Sequence, residues 1–240
     1  ATYPPSLTWG QVITFFVGCD EMRSNPNKFF PWLDRQASQQ RMEIMLDQSP
    51  KVISDKRKKF GFDFWQLRTP LTQYQIEGKK PYGLDNGCFG GALPDAWFRQ
   101  IEEAQQVRPV FVTLPDVVGS ASRTLDLFHF FEKETNGLPR ALVLQDGIND
   151  VSIPFDKIEA VFIGGTDAFK TSPEAFAAAR AARIAGKWVH VGRVNEPSRV
   201  NAWLGEADSI DGSGISRYDH MLKAVVQTIQ GITPQQELFT

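Results

Sequence analysis

Short apolar runs recur along this chain, most of them end in an aspartate or a glycine, and no other feature narrows the fold as much. They cover residues 12–17, ending at Gly18-Cys19-Asp20; 52–55, the weakest, followed by a basic run and an irregular aromatic segment through Trp65; 82–85; 109–116; 141–147; 160–165; 188–193; and 209–211. Between them the sequence predicts helices over about 94–106, from an N-cap at Ser120 through 133, and over 173–185, about 197–206 and about 218–230. Strands that are apolar nearly throughout, alternating with amphipathic helices, imply a parallel sheet covered by helices. Eight such units with no second composition zone predict one α/β domain over residues 1–240, a (β/α)8 barrel of the TIM type. An open doubly wound sheet is the other arrangement this pattern allows.

Bulk properties exclude more than they identify. A chain of 240 residues, 42% hydrophobic and 22% charged, suits one barrel or two small domains. A net charge of −2 gives no global attraction to nucleic acid, so such binding would need a local patch. The run Lys56-Arg57-Lys58-Lys59, with Lys51, Lys79 and Lys80 nearby, is either that patch or a solvated helix face. No stretch of 18 apolar residues is present, and the first residues lack a basic-then-apolar leader pattern. Cys19 and Cys88 have no CxxC partner, which argues against a disulfide scaffold or a structural zinc site and fits a reducing cytoplasm.

In a parallel barrel the strand ends converge on one face. Here they supply Asp20, Asp55, Asp85, Asp116, Gln145-Asp146-Gly147, Gly164-Gly165, Gly192-Arg193 and Asp211. Asp85 and Asp211 open glycine-rich turns, Asp85-Asn86-Gly87 and Asp211-Gly212-Ser213-Gly214. Two such aspartates suit a nucleophile and a proton-transfer partner; the bland alternative is that each caps a helix or braces a turn. Asp20 and Asp55 read better as caps. His190, inside an apolar strand, reads as a satisfied core histidine, and His129 and His220 read as helical structural residues.

The strand ends, taken in order, resemble the tRNA-guanine transglycosylase superfamily. Asp85-Asn86-Gly87-Cys88-Phe89 is similar to that family's Asp-Ser-Gly-Gly-aromatic turn, and Leu114-Pro115-Asp116 to the strand whose aspartate reads guanine. Leu144-Gln145-Asp146-Gly147 and Ile163-Gly164-Gly165 resemble its Val-Gln-Gly and Ile-Gly-Gly turns. Val191-Gly192-Arg193-Val194-Asn195-Glu196-Pro197 looks like its Gly-Val-Gly-x-Pro segment. Ile210-Asp211 with Arg217 six residues on matches part of its nucleophile motif, without the Cys and Pro-Thr. The family's Cys-rich zinc site has no counterpart, which makes the chain more similar to the compact, zinc-less DNA 7-deazaguanine transglycosylases of phages and bacteria.

The resemblance implies base exchange on DNA, with tRNA as the alternative polymer and a free 7-deazaguanine such as preQ0 as co-substrate, with no cofactor and no metal. Exchange at C1′ with retained configuration needs two displacements. One carboxylate forms a covalent glycosyl intermediate and a second moves protons. The resemblance assigns Asp211 as nucleophile and Asp85 as acid/base. It gives Asp116 to the N1 and amine edge of guanine, and Gln145, Gly164 and Gly165 to its O6 side. Asn86, Cys88 and Phe89 belong to the pocket turn, and Arg193 and Arg217 lie at strand ends, Arg217 suited to a phosphate beside the sugar. A barrel glycoside or nucleoside hydrolase, or a non-catalytic base-binding protein, would carry a similar strand-end pattern.

Overall fold

A computed structural model describes residues 42–78 and 80–232. Eight parallel strands close in sequence order into a barrel. They are β1 (Glu43–Leu46), β2 (Trp65–Arg68), β3 (Tyr82–Leu84), β4 (Phe111–Thr113), β5 (Arg140–Leu144), β6 (Ala160–Ile163), β7 (Trp188–Val191) and β8 (Ser209–Asp211). The seam joins β1 to β8, with Ile44 opposite Ile210 and Met45 opposite Asp211. The helices are α1 (Pro50–Phe60), α2 (Ala96–Gln106), α3 (Ala121–Phe131), α4 (Pro173–Ile184), α5 (Pro197–Trp203), α6 (Ser213–Arg217) and α7 (Asp219–Gln230). The architecture is the expected (β/α)8 barrel. No helix among the described residues is long and apolar enough to cross a membrane.

The first two strands are not the expected ones. The expected strand over 12–17, with Cys19 and Asp20, lies outside the described residues, and the strand that pairs with β8 begins at Glu43. The segment 52–55 is not a strand but part of α1. Ser49 Oγ accepts the Val52 N–H, Pro50 opens the helix, and Gly61 closes it at φ 59°. Serine, then proline, then a terminal glycine are ordinary helix punctuation, and here they outweigh the β-branched pair Val52-Ile53. Asp55 is therefore an exposed helical residue paired with Lys51 rather than a strand-end carboxylate.

The irregular aromatic segment contains β2. Its side chains Gln66 and Arg68 are buried although polar, because they bond to a loop where a helix would usually lie. Gln66 Nε2 donates to the carbonyls of Gln48 and Gln75, and Arg68 Nε donates to that of Tyr74 while its guanidinium pairs with Glu103. Buried donors with carbonyl partners offset their own desolvation, so the strand tolerates them.

Inside the barrel, small residues on some strands make room for large ones on others. Ala141 and Ala160 pack with Met45, Leu67 and Phe111, and Trp65 and Trp188 stack at 5.7 Å. A larger apolar layer between strands and helices holds Ile44, Leu144, Val191 and Trp203. Each such side chain contributes about 1.5–3 kcal/mol on burial. This core holds the strand ends rigidly around the barrel mouth.

Candidate active site

The strand ends of β1, β3, β4 and β8 bring Asp47, Asp85, Asp116 and Asp211 to one pocket of about 420 Å³. Four carboxylates in a single cleft repel one another, so they persist only where hydrogen bonds, cations or protons offset the charge.

Asp85 follows β3 and sits in a tight turn. Gly87 has φ +71°, and a Cβ there would come within 2.7 Å of the Pro70 ring, so only glycine fits. Burial first, then the charges of Asp211 and Asp116, push the Asp85 carboxyl up to about 7, against N–H bonds from Asn86 and Gly87 that pull it down. A carboxyl poised near neutrality can both give and take a proton.

Asp211 ends β8. Its Oδ1 receives two hydrogen bonds, from His190 Nε2 at 3.1 Å and the Arg193 backbone N–H at 3.2 Å. No hydrogen bond to Oδ2 is present among the described residues. His190 is fully buried in the barrel, 5.1 Å from the Phe111 ring and 4.6 Å from that of Phe162. Its Nδ1 meets Ser209 Oγ at 2.8 Å, and that oxygen already accepts Trp188 Nε1 at 2.8 Å. The Ser209 hydroxyl therefore has its proton free for His190 Nδ1, which leaves Nε2–H to donate to Asp211. His190 is a satisfied core histidine, as expected, and it also orients the expected nucleophile.

Behind Asp211 the chain is locked to the loop after β7. Asn195 Oδ1 accepts the N–H groups of Gly214 and Ile215, capping α6. A Cβ at Gly212 would lie 2.3 Å from that oxygen. The Asp-Gly-Ser-Gly sequence is thus dictated by close approach of Asn195.

Asp116 is clamped by two amides. Oδ1 accepts Asn86 Nδ2 at 2.8 Å and Oδ2 accepts Gln145 Nε2 at 2.6 Å. Burial raises the Asp116 carboxyl, and these two bonds partly offset it. Asn86 and Gln145 are themselves fixed: Asn86 Nδ2 donates to Leu114 O, and Gln145 Oε1 accepts the Gly119 N–H. The expectation that Gln145 serves the O6 side of a base changes in emphasis. Its carbonyl oxygen and one donor are occupied, and it braces Asp116. Gly164 and Gly165 line the pocket, as does Phe89, which is exposed at the rim with the Arg193 guanidinium 4.3 Å from its ring centroid. Arg217 also lines the pocket, from the end of α6.

Two expected roles are corrected. Cys88 is buried outside the pocket lining; its N–H donates to Asn86 Oδ1, and burial pushes its thiol up to about 11. It supports the turn. The basic run is a largely ion-paired helix face rather than an open patch. Lys56 is buried and paired with Asp219, Lys59 pairs with the same carboxylate, and Arg57 pairs with Glu77. Lys51 and Lys80 are paired with Asp55 and Asp63. Lys58 is exposed, and Lys79 lies outside the described residues.

Sequence reasoning missed two charged residues. Asp47 follows β1, accepts Thr72 Oγ1 at 2.6 Å, and is raised mainly by burial. It was hidden with β1, whose sequence Glu-Ile-Met-Leu carries little β signal. Lys170 also lines the pocket, 1% exposed, and burial above all lowers its ammonium to about 8. Its place in a short 3-10 turn, Phe169–Thr171, gave no motif to read. Among the described residues no group of three or more His, Cys, Asp or Glu is placed to hold a metal ion.

No family model and no curated protein matches the sequence. Solved structures do match in shape. The chain is similar to the crystal structure of the Amycolatopsis orientalis BexX/CysO complex, at 11% identity and a TM-score of 0.50, over 80% of this chain and 88% of that chain. A protein of Aquifex aeolicus VF5 aligns at 10% identity and a TM-score of 0.46, over 85% of this chain and 96% of that one. The first of these likenesses is one of fold. At such identity it says nothing about the reaction.

Proposed function

We propose that the protein is a base-exchange glycosyltransferase that removes guanine from a nucleic acid and installs a 7-deazaguanine such as preQ0. DNA is the preferred polymer and tRNA the alternative, a choice that rests on the resemblance noted above. The observation that carries the reading is the unequal pair of carboxyls in one pocket. Asp85 is held near neutrality by burial and like charge, while Asp211 is held at Oδ1 by two donors.

In the first displacement Asp211 Oδ2 attacks C1′ as the glycosidic C–N bond breaks, and Asp85 gives its proton to the departing guanine. The sugar is now esterified to Asp211. In the second, the incoming 7-deazaguanine gives its N9 proton to Asp85, attacks C1′ and releases the Asp211 carboxylate. Two inversions give retention. Asp47 and Asp116, which take no part in the bond changes, favour the positive charge that develops on the sugar in both transition states. Asp116, its oxygens aimed by Asn86 and Gln145, keeps lone pairs for the N1–H and amine of guanine. A base that lacks this donor pair leaves buried acceptors unsatisfied and is rejected. In a duplex the target nucleotide must be extruded first.

The test is incorporation of labelled guanine into DNA and into tRNA, each offered separately. Label in DNA supports the full reading, and label in tRNA alone moves the activity to RNA. Release of free guanine without uptake of label indicates a hydrolase, and binding of 7-deazaguanine without either indicates a non-catalytic binder.

A further inference from the structure

Lys170 is a buried charge in this pocket to which the exchange reaction assigns no role. Its position follows from the turn after β6. Gly165 has φ +74°, and a Cβ there would lie 2.5 Å from the Phe169 ring and 2.8 Å from Asp146 Oδ2. The chain therefore turns tightly, the Phe169 ring tucks beneath, and the Lys170 N–H closes on Thr166 O at 3.1 Å. The side chain runs inward and its Nζ donates to Gly192 O at 2.9 Å.

That carbonyl belongs to the same peptide group as the Arg193 N–H, which donates to Asp211 Oδ1 at 3.2 Å. One peptide unit thus links the ammonium to the carboxylate. Arg193 has φ +63°, a conformation that non-glycine residues seldom adopt and that tends to occur at functional sites. A cation on the oxygen of a peptide polarises it and makes its N–H a stronger donor, more so where water is excluded.

We propose that Lys170 is a positioning residue for base exchange: it fixes and polarises the Gly192–Arg193 peptide, whose N–H joins His190 in holding Asp211 Oδ1, so that Oδ2 is the attacking oxygen. The same N–H meets the negative charge that returns to Asp211 when the second displacement releases it. The role in exchange rests on the function proposed above; the coupling of Lys170 to Asp211 does not.

The groups facing Lys170 are Asp211 at the end of β8, Arg193 after β7, Arg199 on α5 and Asp167 in the loop after β6. The two carboxylates favour its charge and the two arginines oppose it. Burial outweighs them all, and the proton is lost at about 8. The charged bridge is present below that pH and lost above it.

The test is the single-turnover rate of glycosyl-enzyme formation against pH for wild type, Lys170→Met and Lys170→Arg, with circular dichroism to confirm folding. Asp85 must be protonated, so every protein should slow about tenfold per pH unit above about 7. Wild type should fall more steeply just above about 8, as Lys170 also deprotonates, until its extra loss equals that of Lys170→Met and the two profiles run parallel. Lys170→Met should lose about tenfold or more in rate at pH 7, with KM for the polymer little changed, and keep the shallow slope. Lys170→Arg, which stays charged, should recover much of the rate with the shallow slope. A methionine variant as fast as wild type, or one retaining the steep limb, overturns the proposal.

A second measurement needs no turnover and no lysine variant. The Lys170 Cε resonance should titrate near 8 in wild type and at lower pH in Asp211→Asn, which removes the nearby anion. An unmoved midpoint overturns the coupling. A shifted midpoint with no base exchange on either polymer leaves the coupling intact and refutes the proposed reaction instead.

Discussion

At the residue scale, the decisive asymmetry lies between two aspartates of identical chemistry. Burial and two neighbouring carboxylates push Asp85 up to about 7. Because the folded protein favours the protonated form, the associated stability is complete below about pH 4 and is lost as pH rises through about 7. Asp85→Asn is neutral at every pH. It should stabilise the fold at pH 8 by a few kcal/mol, roughly 3–4 at most, seen as a higher melting temperature, and change stability little near pH 4. The same substitution should cut exchange by about a hundredfold or more, so thermal melts at both pH values beside a rate assay check both halves. Asp116→Asn sets an N–H2 against the Asn86 or Gln145 amide. The lost acceptor should cost about 1–3 kcal/mol, or roughly tenfold to a few hundredfold in guanine exchange. Rates with guanine and hypoxanthine in both proteins test this. An unchanged guanine preference would remove Asp116 from the base pocket.

At the element scale, the account turns on how strand ends are fastened to the turns behind them. Asn195→Ala strips the cap from α6 and leaves the Gly214 and Ile215 N–H groups unpaired. Denaturant unfolding should show a loss of about 1–2 kcal/mol. From β3 onward the strands and the longer helices were legible because buried parallel strands are apolar on both faces, and helices can open with recognisable caps such as Ser120 and Ser172; the short α6 was read only as a glycine-rich turn. The strands β1 and β2 were not legible. Glu43–Leu46 is short and methionine-bearing, and Gln66 and Arg68 point at a loop whose carbonyls satisfy them, a partnership that no local pattern announces. Asp47 was lost with β1, and Lys170 because a long-range bond to Gly192 O gives it its meaning. Asp85, Asn86, Asp116, Gln145 and Asp211 were legible because strand-end position alone is enough to gather them.

At the scale of the whole molecule, the net charge is −2 and the face of α1 is largely ion-paired, and among the described residues that line the pocket the exposed cations are Arg193 and Arg217. Polymer affinity should therefore depend only weakly on salt. Arg217→Ala should reduce the slope of log K against log salt by about 1, whereas Lys58→Ala should leave it unchanged. Fluorescence anisotropy over a salt series measures both. The fold is similar to that of a solved structure of only 11% identity, so nothing in its shape selects the reaction. What selects it is the arrangement at the mouth, and the central claim is that Asp211 becomes covalently glycosylated there. Intact-mass spectrometry of the protein quenched during turnover with a guanine-containing DNA oligonucleotide tests that claim directly. Wild type should carry one adduct equal to the oligonucleotide less guanine, mapped by peptide digestion to Asp211, and Asp211→Asn should carry none. An adduct on another residue, or full exchange activity in Asp211→Asn, would contradict the account.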